Sequence, residues 1–385
     1  MAVIALLAGG GGYLYLDRDA AVVDSSDCPK APGPVTFALG ARANMPAPTL
    51  PDTLSDLVAA AVDAERPVVV YRVDGQPSVA IREHFTTTIK APAARKAAVD
   101  AFTDELLTAI AGIRSRQDEA DPLEALHKAA RDTPRGGTVV LFDSGLQTAA
   151  PLDFRAEGML AADPDDVVAA LGEDAIPDLT GRRLILMGLG DTAAPQDQLS
   201  PAVRANVTDI WQAVAAAGGA ACVQTLPDPP ERDRTLTDVK PVSEIAVPKE
   251  KPLVLCGEVR LTDGGDVGFH PRTADLRDPA AARKILKGYA EEFLGMPGEP
   301  KMEIVGTTAR WSTRADQEDM SRRRADVVRD ILVSFGVLAG SITTKGVGSY
   351  SDYYRDDNGP EGPLEPAAAA FNRSVIIRTI CQKNG

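Results

Sequence analysis

Residues 303–337 read EIVGTTARWSTRADQEDMSRRRADVVRDILVSFGV, and this stretch decides the fold of the last third of the chain. It opens on apolar residues that predict a strand, and from Gln317 onward it predicts a long helix. The pattern predicts a strand and a helix before it, PLVLCGEVRL (252–261) and DPAAARKILKGYAEEFLG (278–295), and two strands after it, SITTKGVGS (341–349) and FNRSVIIRTIC (371–381). Residues 252–385 are therefore expected to form one compact α+β domain.

The middle of the chain, residues 35–225, has a different pattern. Short apolar runs such as GGTVVLFDSG and RRLILMGLG alternate with helical patterns such as TLSDLVAAAVDA. The runs RPVVVYRV and PSVAIREHF flank Asp74 and Gly75, which predicts a hairpin. Strands that alternate with helices predict an α/β fold, in which a mostly parallel sheet carries helices on both faces.

Two polar stretches and an uncharged N-terminus complete the organisation. Residues 226–251 are polar and rich in proline, so we expect a linker there between two domains, and a shorter one at residues 17–34. The first 16 residues, MAVIALLAGGGGYLYL, carry no charge but are shorter than the ~20 apolar residues of a bilayer span. We expect residues 1–16 to be the remaining part of a membrane anchor or an uncleaved export signal. A buried glycine-rich strand and turn is the alternative.

Composition limits the chemistry of the chain. Lys and Arg total 41 and Asp and Glu total 55 among 385 residues, a net charge of −14, which argues against nucleic acid as the main partner. The three histidines, His84, His127 and His270, are far apart, and no HExxH or CxxC motif is present. We therefore expect no metal, no cofactor and no enzyme activity. An α/β hydrolase is the weaker alternative, because DSGLQ resembles a nucleophile turn but has Phe142 where G-x-S-x-G needs its first glycine.

The last third carries the motifs of a known family. Gly306 and Thr308 fit the pattern G-x-T-D, and Asn372, Arg373 and Val375 fit most of N-R-R-V-E. The helix pattern N-x-x-L-S-x-x-R-A and the following G-x-G are met by Gln317, Met320, Ser321, Arg324, Ala325, Gly346 and Gly348, with Gln317 and Met320 as replacements. With these residues the segment resembles the OmpA-like peptidoglycan-binding domain.

This resemblance implies a binding site for the peptide stem of peptidoglycan. In the family the helix arginine binds the diaminopimelate carboxylate, which a guanidinium grips with two charge-assisted hydrogen bonds, and the Asp after the Thr binds the ammonium. Arg324 keeps the first group, whereas Ala309 replaces the second, with Asp316 or Asp319 as candidate substitutes. The candidate peptidoglycan-binding residues are Thr308, Gln317, Ser321, Arg324, Asn372 and Arg373. The alternative is a domain that keeps the fold and has lost wall binding.

The middle domain resembles a von Willebrand factor A-like domain. TVVLFDSGLQT is similar to the strand that ends in a metal-site Asp there, here Asp143 followed by Ser144. The D-x-S-x-S pattern of that metal site is replaced by ALGARANMPAP, which puts Ala38 and Arg42 where oxygen ligands should cluster. The resemblance therefore implies a metal-free domain that binds a protein partner.

Four scattered cysteines allow three disulfide pairings. Cys28 and Cys222 bracket the middle domain, and Cys256 and Cys381 lie in the first and last strands of the C-terminal domain. We expect these two pairs, with Cys222–Cys256 or four reduced thiols as alternatives. Disulfides would require an exported chain.

Together these expectations describe a non-enzymatic, membrane-anchored protein of the bacterial cell envelope. The bulk of the chain lies outside the cytoplasm, its C-terminal domain binds peptidoglycan, and its middle domain binds a protein partner. The alternative is an adaptor of an envelope or secretion machine whose wall-binding site is lost.

Overall fold

The computed structural model of the protein describes residues 28, 32–226, 234–249, 251–270, 272–358 and 362–380. The first part contains β1 (Val35–Gly40), α1 (Asp52–Asp63), β2 (Val68–Val73), β3 (Ser78–Glu83), α2 (Pro92–Ala111), α3 (Pro122–Asp132), β4 (Thr138–Phe142), α4 (Pro164–Ala175), β5 (Arg183–Met187), α5 (Pro201–Ala217) and β6 (Cys222–Thr225). The second part contains β7 (Glu258–Thr262), α6 (Pro279–Leu294), β8 (Lys301–Thr307), α7 (Arg314–Ser334), β9 (Ile342–Gly346), α8 (Pro366–Asn372) and β10 (Ser374–Ile380).

The first sheet has the strand order β3-β2-β1-β4-β5-β6. All neighbours are parallel except β2 and β3, which form the predicted hairpin. Alternate residues of the same strands belong to two separate cores: Val139 and Leu141 pack with α3 and α5 on one face, and Val140 and Phe142 pack with α1 and α2 on the other. This confirms the predicted α/β fold, in which a parallel-dominated sheet carries helices on both faces.

The second sheet has the order β7-β10-β8-β9, antiparallel except for the parallel pair β8 and β9. Apolar residues of α6 and α7, such as Leu286 and Val328, pack with Ile304 and Ile377 of the sheet in one core. The predicted α+β domain is therefore present.

The two motif glycines let α7 rest directly on this sheet. A Cβ atom at Gly306 would lie 1.8 Å from the carbonyl oxygen of Ser321, and one at Gly346 would lie 2.1 Å from that of Glu318. Because any side chain there would push the helix backbone away, these two positions of the family motif are explained by packing.

The described part of the predicted linker, residues 234–249, is packed against the first sheet. Asn44 Nδ2 donates to the carbonyls of Val242 at 2.9 Å and Ser243 at 3.2 Å, and the Gln196 side chain donates to and accepts from the Ile245 backbone. We call residues 238–245 the strap. The backbone of this stretch is thus hydrogen-bonded to the domain surface, and its role as a linker between two domains stays a prediction.

The N-terminal region is tied to the last strand of the first sheet by a disulfide between Cys28 and Cys222, with Cα atoms 5.6 Å apart. This is the first of the expected pairs, and it excludes Cys222–Cys256. Cys381 lies outside the described residues, so the pair Cys256–Cys381 stays a prediction. The expected anchor, residues 1–16, also lies outside them, and within the described ranges no helix is long and apolar enough to cross a bilayer.

The two parts of the protein touch each other. Ala367 and Ala370 of α8 are buried in the core of the first part, next to a short 3₁₀ turn at Met159–Ala161. A Cβ atom at Gly158 would lie 2.3 Å from the carbonyl oxygen of Ala367. The helix that precedes β10 therefore packs into the core of the first part.

Candidate functional site

Three polar residues lie side by side at one end of the second sheet. Asp263 directly follows β7, Thr308 directly follows β8, and Arg373 directly precedes β10. The backbone N–H of Asp263 donates to the carbonyl of Arg373 at 3.3 Å. Because side chains alternate along a strand, Thr308 shares the face of Gly306, which α7 covers. The strand ends thus bring two of the predicted site residues together beneath α7.

Arg324 reaches this row from α7. Its Nη1 donates to Asp263 Oδ2 at 2.9 Å, its Nε to the carbonyl of Thr273 at 2.8 Å, and its Nη2 to the carbonyl of His270 at 3.2 Å. The guanidinium also lies 5.0 Å from the ring centre of Phe269, and the side chain is only 2% exposed. Every nitrogen of this guanidinium therefore has an acceptor within the chain.

Arg373 points to the first part of the protein. Its Nη2 donates to Asp166 Oδ2, a carboxylate in the first turn of α4. Its Nη1 is buried without a hydrogen-bond partner, and so is the hydroxyl oxygen of Thr308. These two atoms are polar groups at this sheet end with unused hydrogen-bonding capacity.

Burial and charge act on the Arg373–Asp166 pair in opposite directions. Burial raises the pKa of Asp166, because it disfavours the charged carboxylate, and the nearby Arg373 only partly offsets this effect. Burial lowers the pKa of Arg373, but the carboxylates of Asp166, Asp163 and Asp263 outweigh it, and the pKa is raised. The Arg373 guanidinium therefore stays charged, because these three carboxylates surround it.

The carboxylate that lies at Arg324 is neither of the two that the sequence suggested. Ala309 is fully buried. Asp316 accepts hydrogen bonds from Ser312 and Thr313 at the start of α7, and Asp319 pairs with Arg322 on its exposed surface, so neither reaches Arg324. Asp263 is the carboxylate at Arg324, and sequence reasoning missed it. The sequence feature that could have indicated Asp263 is its position directly after the first strand of the domain.

Gln317, Ser321 and Asn372 hold the loops around the site. Ser349 donates through its backbone and its hydroxyl to Gln317 Oε1, at 3.3 and 2.7 Å, and the backbone N–H of Gly348 donates to Ser321 Oγ at 3.1 Å. Asn372 Nδ2 donates to the carbonyl of Arg355 and to a carboxylate oxygen of Asp357. All three side chains are buried and hydrogen-bonded within the chain, and their direct contact with a ligand stays a prediction.

A second candidate site lies at the carboxyl ends of β1 and β4, where the strand order of the first sheet reverses. Ligands of parallel sheets generally bind at such a point. Arg42 donates from Nε to Asp143 Oδ2 at 3.1 Å, from Nη2 to Asp143 Oδ1 at 2.8 Å, and from Nη2 to Ser144 Oγ at 2.9 Å. Arg42 is 1% and Asp143 0% exposed. A guanidinium therefore stands where the resemblance would place a cation.

The strap covers this second site. The carboxylate of Glu119 accepts from the hydroxyl and the backbone N–H of Ser243, at 2.6 and 3.1 Å, and the backbone N–H of Glu119 donates to the carbonyl of Pro241. Arg42, Asn44 and Ser144 are buried beneath it. The sheet edge that would receive a ligand is thus filled by the chain itself.

The histidines give the hydrolase alternative no support. The rings of His84 and His127 are hydrogen-bonded to the backbone carbonyls of Glu65 and Ala175, and the carbonyl of His270 accepts from Arg324. Ser144 accepts from Arg42, a group that serves as no general base. Among the described residues no hydrogen bond joins a histidine ring to a hydroxyl.

Comparison with known proteins identifies the second part of the chain. Residues 268–362 match the OmpA family. They form an OmpA family domain. The match begins five residues after Asp263 and includes Thr308 and Arg324, whereas Arg373 follows it.

A curated relative and two solved structures are similar to part of this chain. Outer membrane protein A of Yersinia pseudotuberculosis is 33% identical over 104 residues, which are 27% of this chain and 29% of that protein. The periplasmic domain of Helicobacter pylori MotB is 15% identical, with a TM-score of 0.26, over 33% of this chain and 77% of that one. The peptidoglycan-associated lipoprotein of Burkholderia pseudomallei is 17% identical, with a TM-score of 0.24, over 31% of this chain and 89% of that one.

The chain thus spans less than a third of the length of the curated relative that it matches. The resemblance of residues 35–225 to a von Willebrand factor A-like domain is not confirmed by these comparisons, and it stays a prediction.

Proposed function

We propose that this chain is a non-enzymatic protein of the cell envelope that binds the peptide stem of peptidoglycan through its OmpA domain. The observation that carries the proposal is the meeting of Thr308, Arg324 and Arg373 at one end of the OmpA-domain sheet. These are three of the residues that the family resemblance assigns to wall binding. The match of residues 268–362 to the OmpA family supports the same role.

The chemistry of the sheet end suits a ligand that carries both a carboxylate and an ammonium group, as diaminopimelate does. Thr308 Oγ1 and Arg373 Nη1 are buried polar atoms without partners, and both can donate to a carboxylate. Asp263 can accept a hydrogen bond from an ammonium group, in place of the family aspartate that Ala309 replaces. Arg324 holds Asp263 in position through its 2.9 Å ion pair. In this proposal the role of Arg324 is therefore to hold Asp263 in position, and Thr308, Arg373 and Asp263 contact the ligand.

The proposal also gives roles to the N-terminus and to the first part of the chain. We propose that residues 1–16 anchor the chain to a membrane and that the rest lies outside the cytoplasm. The Cys28–Cys222 disulfide supports export, because thiols stay reduced in the cytosol. A protein partner for the first part would bind away from the edge that the strap covers.

The second candidate function is an adaptor that has lost wall binding. Two observations favour it: Ala309 replaces the family acid, and Arg324 has internal acceptors for all of its nitrogens. The two functions differ in one property, which is whether the full chain binds peptidoglycan.

Cosedimentation of the full chain with purified peptidoglycan tests the proposal. Thr308→Val removes a hydroxyl that has no partner, so it leaves the fold intact and should weaken binding by about fivefold, the value of one hydrogen bond. Free diaminopimelate should release the bound wild-type chain. Thr343→Val, on the edge strand β9, is the matched control and should bind as wild type does. Absence of sedimentation for the wild type under all conditions would favour the adaptor.

A further inference from the structure

An acidic segment of the first part lies against the wall-binding end of the OmpA domain. Residues 157–166, EGMLAADPDD, contain the 3₁₀ turn and the first turn of α4, and we call them the docking segment. A Cβ atom at Gly264 would lie 2.3 Å from Cα of Ala161. Gly264 follows Asp263 directly, so the docking segment touches the backbone next to the candidate site.

Ion pairs and a hydrogen bond surround this contact. Arg373 pairs with Asp166, and Arg355 pairs with Glu157 at 2.8 Å. Arg277 Nη1 donates to Asn206 Oδ1 at 2.9 Å, and the side chain of Asn206 in turn holds the carbonyls of Leu160 and Ala162. The carboxylates belong to the docking segment and the guanidinium groups to the second part of the chain. The contact is therefore complementary in charge as well as in shape.

We infer that the docking segment is an internal occupant of the wall-binding site, in which the Asp166 carboxylate takes the place of a stem-peptide carboxylate on Arg373. The inference rests on the proposed function. Asp166 and a ligand carboxylate compete for one guanidinium, and the segment lies against Gly264 next to the site. Wall binding then requires the OmpA domain to separate from residues 157–166, and the closed chain binds with only the affinity that its open fraction allows.

A pair of neighbouring glycines offers a matched test in the full chain. Gly264→Ala adds a methyl group that collides with the docking segment. Gly265→Ala adds one whose nearest neighbour is the Thr262 carbonyl at 3.4 Å, an ordinary contact, so it leaves the docked arrangement unchanged. Hydrogen–deuterium exchange of residues 157–166 measures opening without any wall present, and cosedimentation with purified peptidoglycan measures binding.

A second variant opens the contact from the other side. Asp166→Lys places a cation against Arg373, and Asp165→Lys makes the same change of charge at a neighbouring exposed residue. Neither substitution replaces a residue of the OmpA domain. We expect Gly264→Ala and Asp166→Lys to speed exchange in the docking segment and to raise peptidoglycan affinity roughly tenfold. Gly265→Ala and Asp165→Lys should match the wild type in both measurements.

The outcomes separate the inference from the proposed function. Faster exchange with peptidoglycan affinity equal to that of a binding wild type would overturn the inference and leave the proposed function standing. Faster exchange with no binding by any variant would overturn the proposed function, and the inference with it. Unchanged exchange in both opening variants would show a permanent interface and would also overturn the inference.

Discussion

Arg42 and Asp143, which follow the neighbouring strands β1 and β4, form an ion pair with both side chains out of contact with solvent. The fork of two nitrogens on two carboxylate oxygens, at 3.1 and 2.8 Å, is the strong geometry for such a pair. From the sequence, Arg42 was interpreted only as the replacement of an oxygen ligand in the metal site. The structure shows that it supplies the positive charge that Asp143 needs in order to be buried.

This pair predicts that Mg²⁺, Mn²⁺ and Ca²⁺ do not bind at Asp143. A metal would have to displace a guanidinium that already satisfies the carboxylate, and the strap closes the approach. Isothermal titration of the full chain with each ion should give no heat beyond dilution. Micromolar binding that Asp143→Asn abolishes would contradict this interpretation of the site.

The close packing at Gly306 predicts that Gly306→Ala and Gly288→Ala change the free energy of unfolding in opposite directions. Gly306→Ala forces α7 away from β8, because the new Cβ atom would lie 1.8 Å from the Ser321 carbonyl, and it should lower the free energy of unfolding by about 3 kcal/mol or more. Gly288→Ala, in α6, meets no atom within 4 Å and should raise it by about 0.5–1 kcal/mol. Urea unfolding measures both. Equal effects would show that the helix can shift without cost.

Tyr71 predicts a loss of stability in alkali. Burial and the hydrogen bond from its hydroxyl to Asp132, 2.6 Å long, raise its pKa from 10.0 to about 12. The folded state therefore holds the phenol proton more tightly than the unfolded state does, so this contribution is complete below pH 10 and is lost as the pH rises through about 12. Tyr71→Phe should flatten that part of the pH–stability curve. An unaltered curve would assign the loss to other groups.

The Cys28–Cys222 disulfide predicts a large effect of reduction. The bridge joins residues 194 apart in sequence, so opening it frees the unfolded chain and should lower the free energy of unfolding by at most about 5 kcal/mol on the chain-entropy model. Cys28→Ser and Cys222→Ser should each lower the free energy of unfolding by the same amount as the other, because either change opens this bridge alone. Non-reducing peptide mapping of protein recovered from the cell envelope checks the pairing, and two free thiols at these positions would exclude it.

The sequence predicted those features that depend on local pattern. The alternation of apolar runs with helices indicated the parallel sheet, Asp74 and Gly75 indicated the hairpin, and the motif spacing indicated the OmpA domain. What it missed depends on contacts between distant residues: Asp263 meets Arg324 across 61 residues and Asp166 meets Arg373 across 207. No periodicity reports such pairs, because the first forms only when the C-terminal domain folds and the second only when the two parts of the chain meet. The strap was missed for the same reason, since a polar proline-rich segment looks alike whether it is free or bound to a surface.

The sheet end beneath Arg324 is the proposed binding site for peptidoglycan, and one measurement tests this assignment most directly. Dissociation constants for purified peptidoglycan are compared, by cosedimentation, among wild type, Arg324→Ala and Arg323→Ala. Arg323 precedes Arg324 and its side chain is 57% exposed. Arg323→Ala therefore removes the same kind of side chain without altering the site. Circular dichroism melting confirms that each chain is folded. We expect Arg324→Ala to bind at least about tenfold more weakly, because it removes the charge-assisted partner of Asp263, and Arg323→Ala to bind as wild type does. A folded Arg324→Ala chain that binds as tightly as Arg323→Ala would contradict the assignment.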